Sequence, residues 1–203
     1  MPTGSLSGDV PAVGLRERKK TIAKQALRRA AFDLFTTQGF EATTVEDIAR
    51  RADVSRASFF RYFTAKEDVL AADDAERREA FFALLDKENK PLLAGLHAAV
   101  SAYLAGMDAE ALAQAAAYTR IMVSSRVVLG QAYENRIRWL SELEAHVRGR
   151  LAGAADLDVV APLVADLTLG VLETAFRLAA VSPGTPFETV VDRGFRMLGA
   201  VDS

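Results

Sequence analysis

The fold of this chain is decided by residues 43–63, which read TTVEDIARRADVSRASFFRYF. Either Thr43 or Thr44 can cap a helix, because an acidic side chain three positions further on would complete a capping box. That helix is short, and Ser55 is suited to cap a second short helix after a tight turn. Small and apolar residues occupy the positions that must pack where the two helices meet. The stretch therefore predicts a helix-turn-helix motif.

Two further predicted helices flank the motif. Before it, a helix over about residues 16–38 ends at Gly39, since glycine accepts the positive φ that closes a helix at low steric cost. After it, a fourth helix is expected to begin at Thr64, with Glu67 three residues further on. Residues 1–14 are rich in Gly, Pro and Ser without periodicity, and we expect them to form a flexible arm.

Charge is divided unevenly along the chain. The 203 residues have a net charge of −2, but residues 1–66 hold 12 Lys and Arg against 7 Asp and Glu, whereas the remainder holds 13 against 20. The first part is therefore +5 and the second −7. A basic run such as residues 16–20 is by itself typical of a solvated helix face. Beside the motif, however, a basic end on an acidic body favours contact with a polyanion.

The composition argues against several classes of function. The chain has no Cys, which excludes disulfides, thiolate metal sites and cysteine nucleophiles. Neither of its two histidines, His97 and His146, stands at a spacing that suits a metal site or a catalytic base, and both are expected to be structural or surface residues. We predict no catalytic residue, no metal and no cofactor. No signal peptide and no apolar run of about 18 residues is recognised, so the expectation is a cytoplasmic protein without a membrane partner.

The region from residue 16 to residue 70 resembles the DNA-binding domain of the TetR family of bacterial transcriptional regulators. The resemblance rests on three stretches, GFEATTVEDIA at 39–49, VSRASFFRYF at 54–63 and KEDVL at 66–70. Two positions depart from the family pattern. Asp53 stands where the family usually has Gly, and Phe60 where it often has Tyr. Because Asp tolerates positive φ better than most residues, we expect the turn to stay intact.

The resemblance implies which residues contact DNA. It assigns base edges in the major groove to Arg56, Ala57 and Phe60, and Arg56 is suited to a guanine. It assigns backbone phosphate to Thr44, Ser55, Ser58, Tyr62 and Lys66, with Arg61 on the same exposed side and with Arg18, Lys19 and Lys20 at flanking phosphates or the minor groove. The ring of Tyr62 is expected to be half core, and Lys66 is expected at a helix N-terminus, which also favours phosphate.

The rest of the chain is predicted to be helical as well, so the fold class is all-α. We place the flexible arm at 1–14, the helix-turn-helix domain at 15–65 and a larger ligand-binding and dimerisation domain at 66–203. One long helix in this domain, ending near Leu151, is expected to be apolar along one side, with Leu129, Tyr133, Ile137, Leu140, Leu143 and Val147. It follows a possible break at Ser124–Ser125.

The last two predicted helices are apolar enough to need a partner. Residues 157–181 are apolar almost all round, and a helix over about 186–201 has one apolar face. A second copy of the same pair is the simplest cover, and the resemblance also implies a homodimer. The alternative is that both helices are core of a monomer. The residues expected in the interface are Leu163, Leu167, Val171, Phe187, Val191, Gly194 and Leu198.

The resemblance further implies a pocket for a small-molecule effector. Candidate lining residues are Phe82, Tyr103, Tyr118, Met122, Arg126, Arg136 and Trp139. Arg126 belongs to this set if its helix continues through Ser124–Ser125. Such a lining suits an apolar body with an anionic or hydrogen-bonding head. The alternative is that the arginines pair internally with carboxylates such as Glu144 or Glu173.

These observations favour a homodimeric repressor that a small molecule releases from a pseudo-palindromic operator in double-stranded DNA. A ligand-independent regulator or an activator is an alternative. A small-molecule carrier or an enzyme that retains the fold is less favoured, because no catalytic constellation accompanies the motif. A purely structural adaptor would have no use for the pattern of Arg56, Ser58 and Lys66.

Overall fold

A computed structural model describes residues 14–181 and 186–199 of the chain. Within these ranges the backbone is helical and forms no strand, which confirms the predicted all-α class. The elements are α1 (Leu15–Thr37), α2 (Val45–Arg51), α3 (Arg56–Tyr62), a 3₁₀ turn (Glu67–Val69), α4 (Asp74–Leu85), α5 (Leu92–Ala105), α6 (Ala109–Ser124), α7 (Arg126–Arg150), α8 (Leu157–Val181) and α9 (Phe187–Gly199). The predicted arm lies, except for Gly14, outside the described residues.

The helix-turn-helix forms where it was predicted, through the local interactions that its sequence offers. The hydroxyl of Thr44 accepts a hydrogen bond from the N–H of Asp47 (3.1 Å), and the Asp47 carboxylate accepts one from the N–H of Thr44 (3.1 Å). Ser55 caps α3 by accepting from the N–H of Ser58 (3.1 Å). Asp53 in the turn has φ +53°, the conformation expected of a position where the family usually has Gly.

The prediction of a fourth helix beginning at Thr64 is wrong. The carboxylate of Asp68 accepts hydrogen bonds from the N–H groups of Thr64 (2.9 Å) and Ala65 (2.8 Å). Local side-chain bonds of this kind compete with helix formation. The chain therefore turns through the 3₁₀ segment, and α4 begins only at Asp74.

The apolar core of the helix-turn-helix continues into the body. Phe59 and Ile48, both fully buried, pack in one cluster with residues of α1 and also with Ile121 of α6 and Val128 of α7. A second cluster fills the space among α4, α5, α7, α8 and α9, around Phe81 and Leu143. The head, residues 15–70, therefore rests directly on the junction of α6 and α7.

The break expected at Ser124–Ser125 is present, and it changes which side of α7 faces inward. Because α7 is a separate helix that begins at Arg126, Val128 packs in the apolar cluster of the head and Trp139 packs in the cluster of the body. Leu129, Tyr133 and Ile137 are exposed as a result. The predicted apolar side is thus wrong for the first half of the helix and correct at Leu143 and Val147, which are buried.

Helix α8 is long and apolar enough, by length and composition, to cross a membrane, so the expectation that no such run exists does not hold. One helix of this kind is weak evidence for a membrane, because helices of soluble proteins pass the same test. The buried side of α8, which includes Ala161, Ala165 and Leu169, packs within the body. The opposite side leaves Leu163 and Leu167 about half exposed.

The contact between α8 and α9 corrects part of the predicted interface. Val191 is fully buried within one chain, so it is a core residue and is not available to a partner. Gly194 faces Val171 of the same chain so closely that a Cβ atom there would lie 2.7 Å from Cγ2 of Val171. Phe187 packs edge-on against Phe176, and Leu198 packs against the second cluster. Leu163 and Leu167 remain accessible.

Candidate nucleic-acid interface and ligand cavity

Helix α3 presents one exposed side that carries most of the predicted DNA-reading residues. Phe59 anchors the helix, since its side chain is fully buried in the first cluster. The opposite side exposes Ser55, Arg56, Ala57, Phe60 and Arg61, whereas Ser58 and Tyr62 are half-buried. The residues expected to meet base edges therefore lie together on one accessible surface.

The guanidinium group of Arg56 is held between the two helices of the motif. Its Nε lies 2.9 Å from Oε1 of Glu46 in α2, and its Cζ lies 5.3 Å from the centre of the Phe60 ring. Both members of the ion pair are more than half exposed, and exposed pairs of this kind are weak. Arg56 is thus oriented by its neighbours but can exchange Glu46 for another partner.

Arg61 and Tyr62 form a second polar group beside Arg56. The Arg61 guanidinium donates to the hydroxyl of Tyr62 (2.9 Å) and lies 4.8 Å from the centre of its ring. The ring of Tyr62 packs against the first cluster, as the sequence indicates. Its hydroxyl keeps its own proton to donate.

Lys66, which is predicted to contact phosphate, stands just before the 3₁₀ turn and has backbone oxygens of its own chain as partners. Its ammonium group donates to the backbone oxygens of Phe40 (2.7 Å) and Thr43 (2.9 Å), and it lies 4.3 Å from the centre of the Phe40 ring. An ammonium group has three protons, and these carbonyl oxygens engage most of them. Lys66 therefore fixes the turn between α1 and α2.

The basic side chains of α1 fall into two groups. Arg18, Lys19 and Lys20, near its N-terminus, are exposed. Arg28 forms an ion pair with Asp73, and Arg29 binds Glu110 of α6 (Nε to Oε1, 2.7 Å). Burial lowers the pKa of Arg28 to about 10. The later arginines of α1 thus tie the head to the body, whereas the first group lies exposed near the N-terminus of the helix.

A cavity of about 420 Å³ opens in the body next to the head. Five of the predicted lining residues border it, namely Tyr103, Tyr118, Met122, Arg136 and Trp139. Two predictions are wrong. Phe82 packs against Phe81 and Trp139 outside the lining, and Arg126 is exposed because the helix breaks at Ser125.

The alternative proposed for the arginines holds for Arg136. Its guanidinium donates to Oδ1 of Asp166 (2.9 Å) and forms a second ion pair with Glu173. Arg136 therefore lines the cavity with its charge largely neutralised. Asp74 and Arg77, which the sequence pattern does not single out, also line the cavity. They stand in the polar run DDAERREA at 73–80, which looks like a solvated helix face, and no spacing signal distinguishes them.

Both histidines have structural neighbours. Nε2 of His97 lies 2.7 Å from Oδ1 of Asp192, and its ring packs edge-on against Phe195. His146 lies 3.5 Å from Asp86, and burial lowers the pKa of its imidazole. Each of these ring contacts joins one element of the body to another.

The exposed α3 surface on a packed helical head, joined to a larger helical body, is the arrangement typical of a helix-turn-helix protein. Comparison with known proteins gives the same class. The sequence profile of the family described as "Bacterial regulatory proteins, tetR family" matches residues 27–72. The regulator TcmR from Streptomyces glaucescens is 44% identical over 73 residues, which cover 36% of this chain and 32% of TcmR. The matched part thus spans about a third of that relative's length.

Solved structures match over most of the chain. A structure from Syntrophomonas wolfei, described as a TetR-family regulator, has a TM-score of 0.72 at 17% identity and covers 90% of this chain and 95% of its own. The complex of SmeT with triclosan has a TM-score of 0.62 at 21% identity, and the match covers 88% of this chain and 90% of the SmeT chain. At this identity the likeness concerns the fold. The helix-turn-helix segment of this chain thus matches the TetR family, and the matched relative is named as a transcriptional regulator.

Proposed function

We propose that this chain is a cytoplasmic homodimeric repressor that binds a pseudo-palindromic operator and is released from it by a small molecule. The observation that carries the proposal is the contact between the cavity and the head. Phe32, Leu70, Tyr118 and Met122 border the cavity and also belong to or pack against the apolar cluster of the helix-turn-helix. A molecule that fills the cavity would therefore contact side chains of the apolar cluster through which the head packs on the body.

DNA binding is supported by the surface of α3. Arg56 can offer two donors to a guanine once it leaves Glu46, and Ala57 and Phe60 offer apolar contact to a thymine methyl group. Ser55, Ser58 and Tyr62 surround them with hydroxyl groups suited to phosphate. The net charge of +5 on the first 66 residues also favours binding to DNA, which is a polyanion.

Dimerisation is supported by the uncovered side of α8. Val159, Leu163 and Leu167 recur every four residues and are each about half exposed. Met197 of α9 adds another exposed apolar side chain. A two-fold pair of α8–α9 units would bury them in a four-helix interface, and would place two α3 helices about 34–36 Å apart for successive major grooves.

Release by an effector requires that the effector prefers the conformation that cannot bind the operator. The junction of α6 and α7 is suited to carry this change. Ser125 at the junction donates to the Glu41 carboxylate of the head (2.9 Å), and Arg29 joins the head to Glu110 of α6. The solved neighbour SmeT, which shares the fold, holds triclosan.

The test is an operator selection on genomic DNA fragments with the full chain, followed by affinity measurements on the selected site. We expect Arg56→Ala to lose about 1–3 kcal/mol of discrimination at one base pair of each half-site. Arg148→Ala is the matched control, since it removes the same charge at the far end of α7, about 30 Å along the helix from the end that packs on the head. Failure to enrich any double-stranded sequence would refute the proposal.

A reporter fused to the selected operator separates the remaining alternatives. A repressor lowers expression, and its loss raises expression. The opposite sign would identify an activator. A carrier or an enzyme that retains the fold would bind its small molecule without any footprint on DNA.

A further inference from the structure

The charged groups that line the cavity are of unequal availability. Asp74 is buried, accepts a hydrogen bond from Nε1 of Trp139 (3.1 Å) and forms an ion pair with Arg78. Arg136 is shared between Asp166 and Glu173. These three carboxylates and the two guanidinium groups of Arg78 and Arg136 largely neutralise one another.

Among the described lining residues, Arg77 and Arg177 are the two arginines without a close carboxylate partner, and Arg177 is exposed whereas Arg77 is half-buried. Its nearest carboxylate oxygen, Oδ1 of Asp74, lies 3.9 Å away, which is too far for a hydrogen bond. The guanidinium group of Arg77 donates no hydrogen bond to a described residue, although the side chain is only 36% exposed and lines the cavity. Its donors are therefore available to a molecule in the cavity.

Two tyrosine hydroxyls line the same cavity as Arg77. Tyr103 is 9% exposed and Tyr118 is half-buried, and neither hydroxyl has a hydrogen-bond partner among the residues that the structure describes. Burial raises the pKa of both phenols, and the charge of Arg77 acts on both in the opposite direction. Both hydroxyls therefore stay protonated at neutral pH, can donate, and lie within the field of Arg77.

We propose that the effector is an organic acid whose carboxylate binds Arg77 and the hydroxyls of Tyr103 and Tyr118. This inference rests on the proposed effector site and names the chemistry of its ligand. One guanidinium fork and two phenolic donors match the lone pairs of a single planar carboxylate. Asp74, at 3.9 Å from Arg77, disfavours a doubly charged head such as a phosphate monoester. The body of the acid is apolar, because Leu169, Leu172 and Phe176 line the rest of the cavity.

The cavity contains its own reporter. The chain has a single tryptophan, Trp139, and it stands in the cavity wall against Asp74. Entry of a ligand should change its fluorescence. The probes are two matched pairs with the same body and different heads, decanoate with 1-decanol and biphenyl-4-carboxylate with biphenyl-4-methanol, titrated into the full chain at pH 7 and checked by calorimetry.

We expect at least one acid to bind about tenfold or more tightly than its alcohol, because a charged carboxylate gains charge-assisted hydrogen bonds that the alcohol does not form. Arg77→Gln should abolish this preference while leaving the affinity for the alcohol unchanged. Arg120→Gln is the matched control. It removes the same charge from an exposed position on α6 outside the lining, and it should keep the preference.

The double variant Tyr103→Phe, Tyr118→Phe should reduce the preference for the acid over its alcohol severalfold. It should leave the binding of the ligand's apolar body unchanged. Equal affinity for acid and alcohol in the wild-type chain, no binding of either acid up to about 1 mM, or an unchanged preference in Arg77→Gln would each overturn the assignment. The urea unfolding midpoint of each variant shows whether the fold is intact, which is expected because the nearest carboxylate oxygen to the Arg77 guanidinium, Oδ1 of Asp74, is 3.9 Å away.

Operator binding is measured separately, so the two proposals can fail independently. An acid that binds through Arg77 without changing operator affinity would preserve the ligand class and refute release by an effector. Operator release by an alcohol or an amine alone would preserve the proposed function and refute the organic acid.

Discussion

At the scale of single residues, Lys66 shows how a basic side chain beside a DNA-reading helix can serve the fold. Its ammonium group donates to backbone oxygens of Phe40 and Thr43, and its aliphatic stem lies near the Phe40 ring. A carbonyl that loses a charged donor must find water or remain unsatisfied. The residue therefore holds the turn that leads into α2.

We predict that Lys66→Met, which keeps the apolar stem, lowers the free energy of unfolding by about 1.5–3 kcal/mol. Urea denaturation of the full chain measures this. The salt dependence of operator binding should not change. Lys19→Met is the comparison, because Lys19 is exposed on α1; it should leave stability unchanged and reduce the salt slope by about 0.9 if it contacts one phosphate. A Lys66→Met variant with unchanged stability and a reduced salt dependence of operator binding would indicate that Lys66 contacts phosphate.

At the scale of elements, α2 has only seven residues and depends on its cap. Thr44 and Asp47 exchange hydrogen bonds in the capping box, and the Thr44 hydroxyl also donates to the Asp47 carboxylate (2.6 Å). We predict that Thr44→Ala costs about 0.5–2 kcal/mol of stability, whereas Thr44→Ser retains most of it. Equal loss in both variants in urea denaturation would argue against the cap.

The capping box also predicts that the stability of the fold depends on pH. The bonds from Thr44, with a smaller contribution from Arg50, hold the pKa of Asp47 below its usual value. The stabilisation is therefore present above the pKa of Asp47 in the unfolded chain and is lost as the pH falls through the lowered pKa of the folded chain. Asp47→Asn should flatten this part of the acid unfolding curve.

The packing of α8 on α9 depends on the absence of a side chain at Gly194. A Cβ there would lie 2.7 Å from Cγ2 of Val171, and Val is stiff at χ1. Overpacking costs about 1–3 kcal/mol, and the gain in helix propensity is at most about 1 kcal/mol. We predict that Gly194→Ala is destabilising in urea denaturation, that Val171→Ala in the same chain relieves part of the loss, and that Gly130→Ala, in open space on α7, is stabilising.

At the scale of the whole molecule, the exposed side of α8 is the surface on which the proposed dimer depends. We predict that Leu163→Glu gives a monomer in light scattering and weakens operator binding at least tenfold, because each half-site would then bind alone. Val123→Glu is the matched control, since Val123 is exposed on α6 and lies outside α8 and α9. A Leu163→Glu chain that remains dimeric would place the interface elsewhere.

The local elements could be predicted from the sequence because their signals lie within a few residues of each other. Thr44, Ser55 and Gly39 mark helix ends through caps and a positive φ, which are properties of neighbouring backbone groups. The error at Thr64 is also local. There, Asp68 competes for the same N–H groups, and the sequence does not decide between the two acceptors.

An all-helical chain, the position and register of the helix-turn-helix, and the exposed side of α3 could all be predicted from the amino-acid pattern. These features follow from helical periodicity and capping, which act over a few residues. The packed fold was needed to see that Lys66 binds carbonyl oxygens, that Val191 is a core residue, and that Arg136 has close carboxylate partners whereas Arg77 has none. The partners in these contacts lie on separate helices, and the free energy of a charge depends on the groups that packing brings within a few ångströms of it.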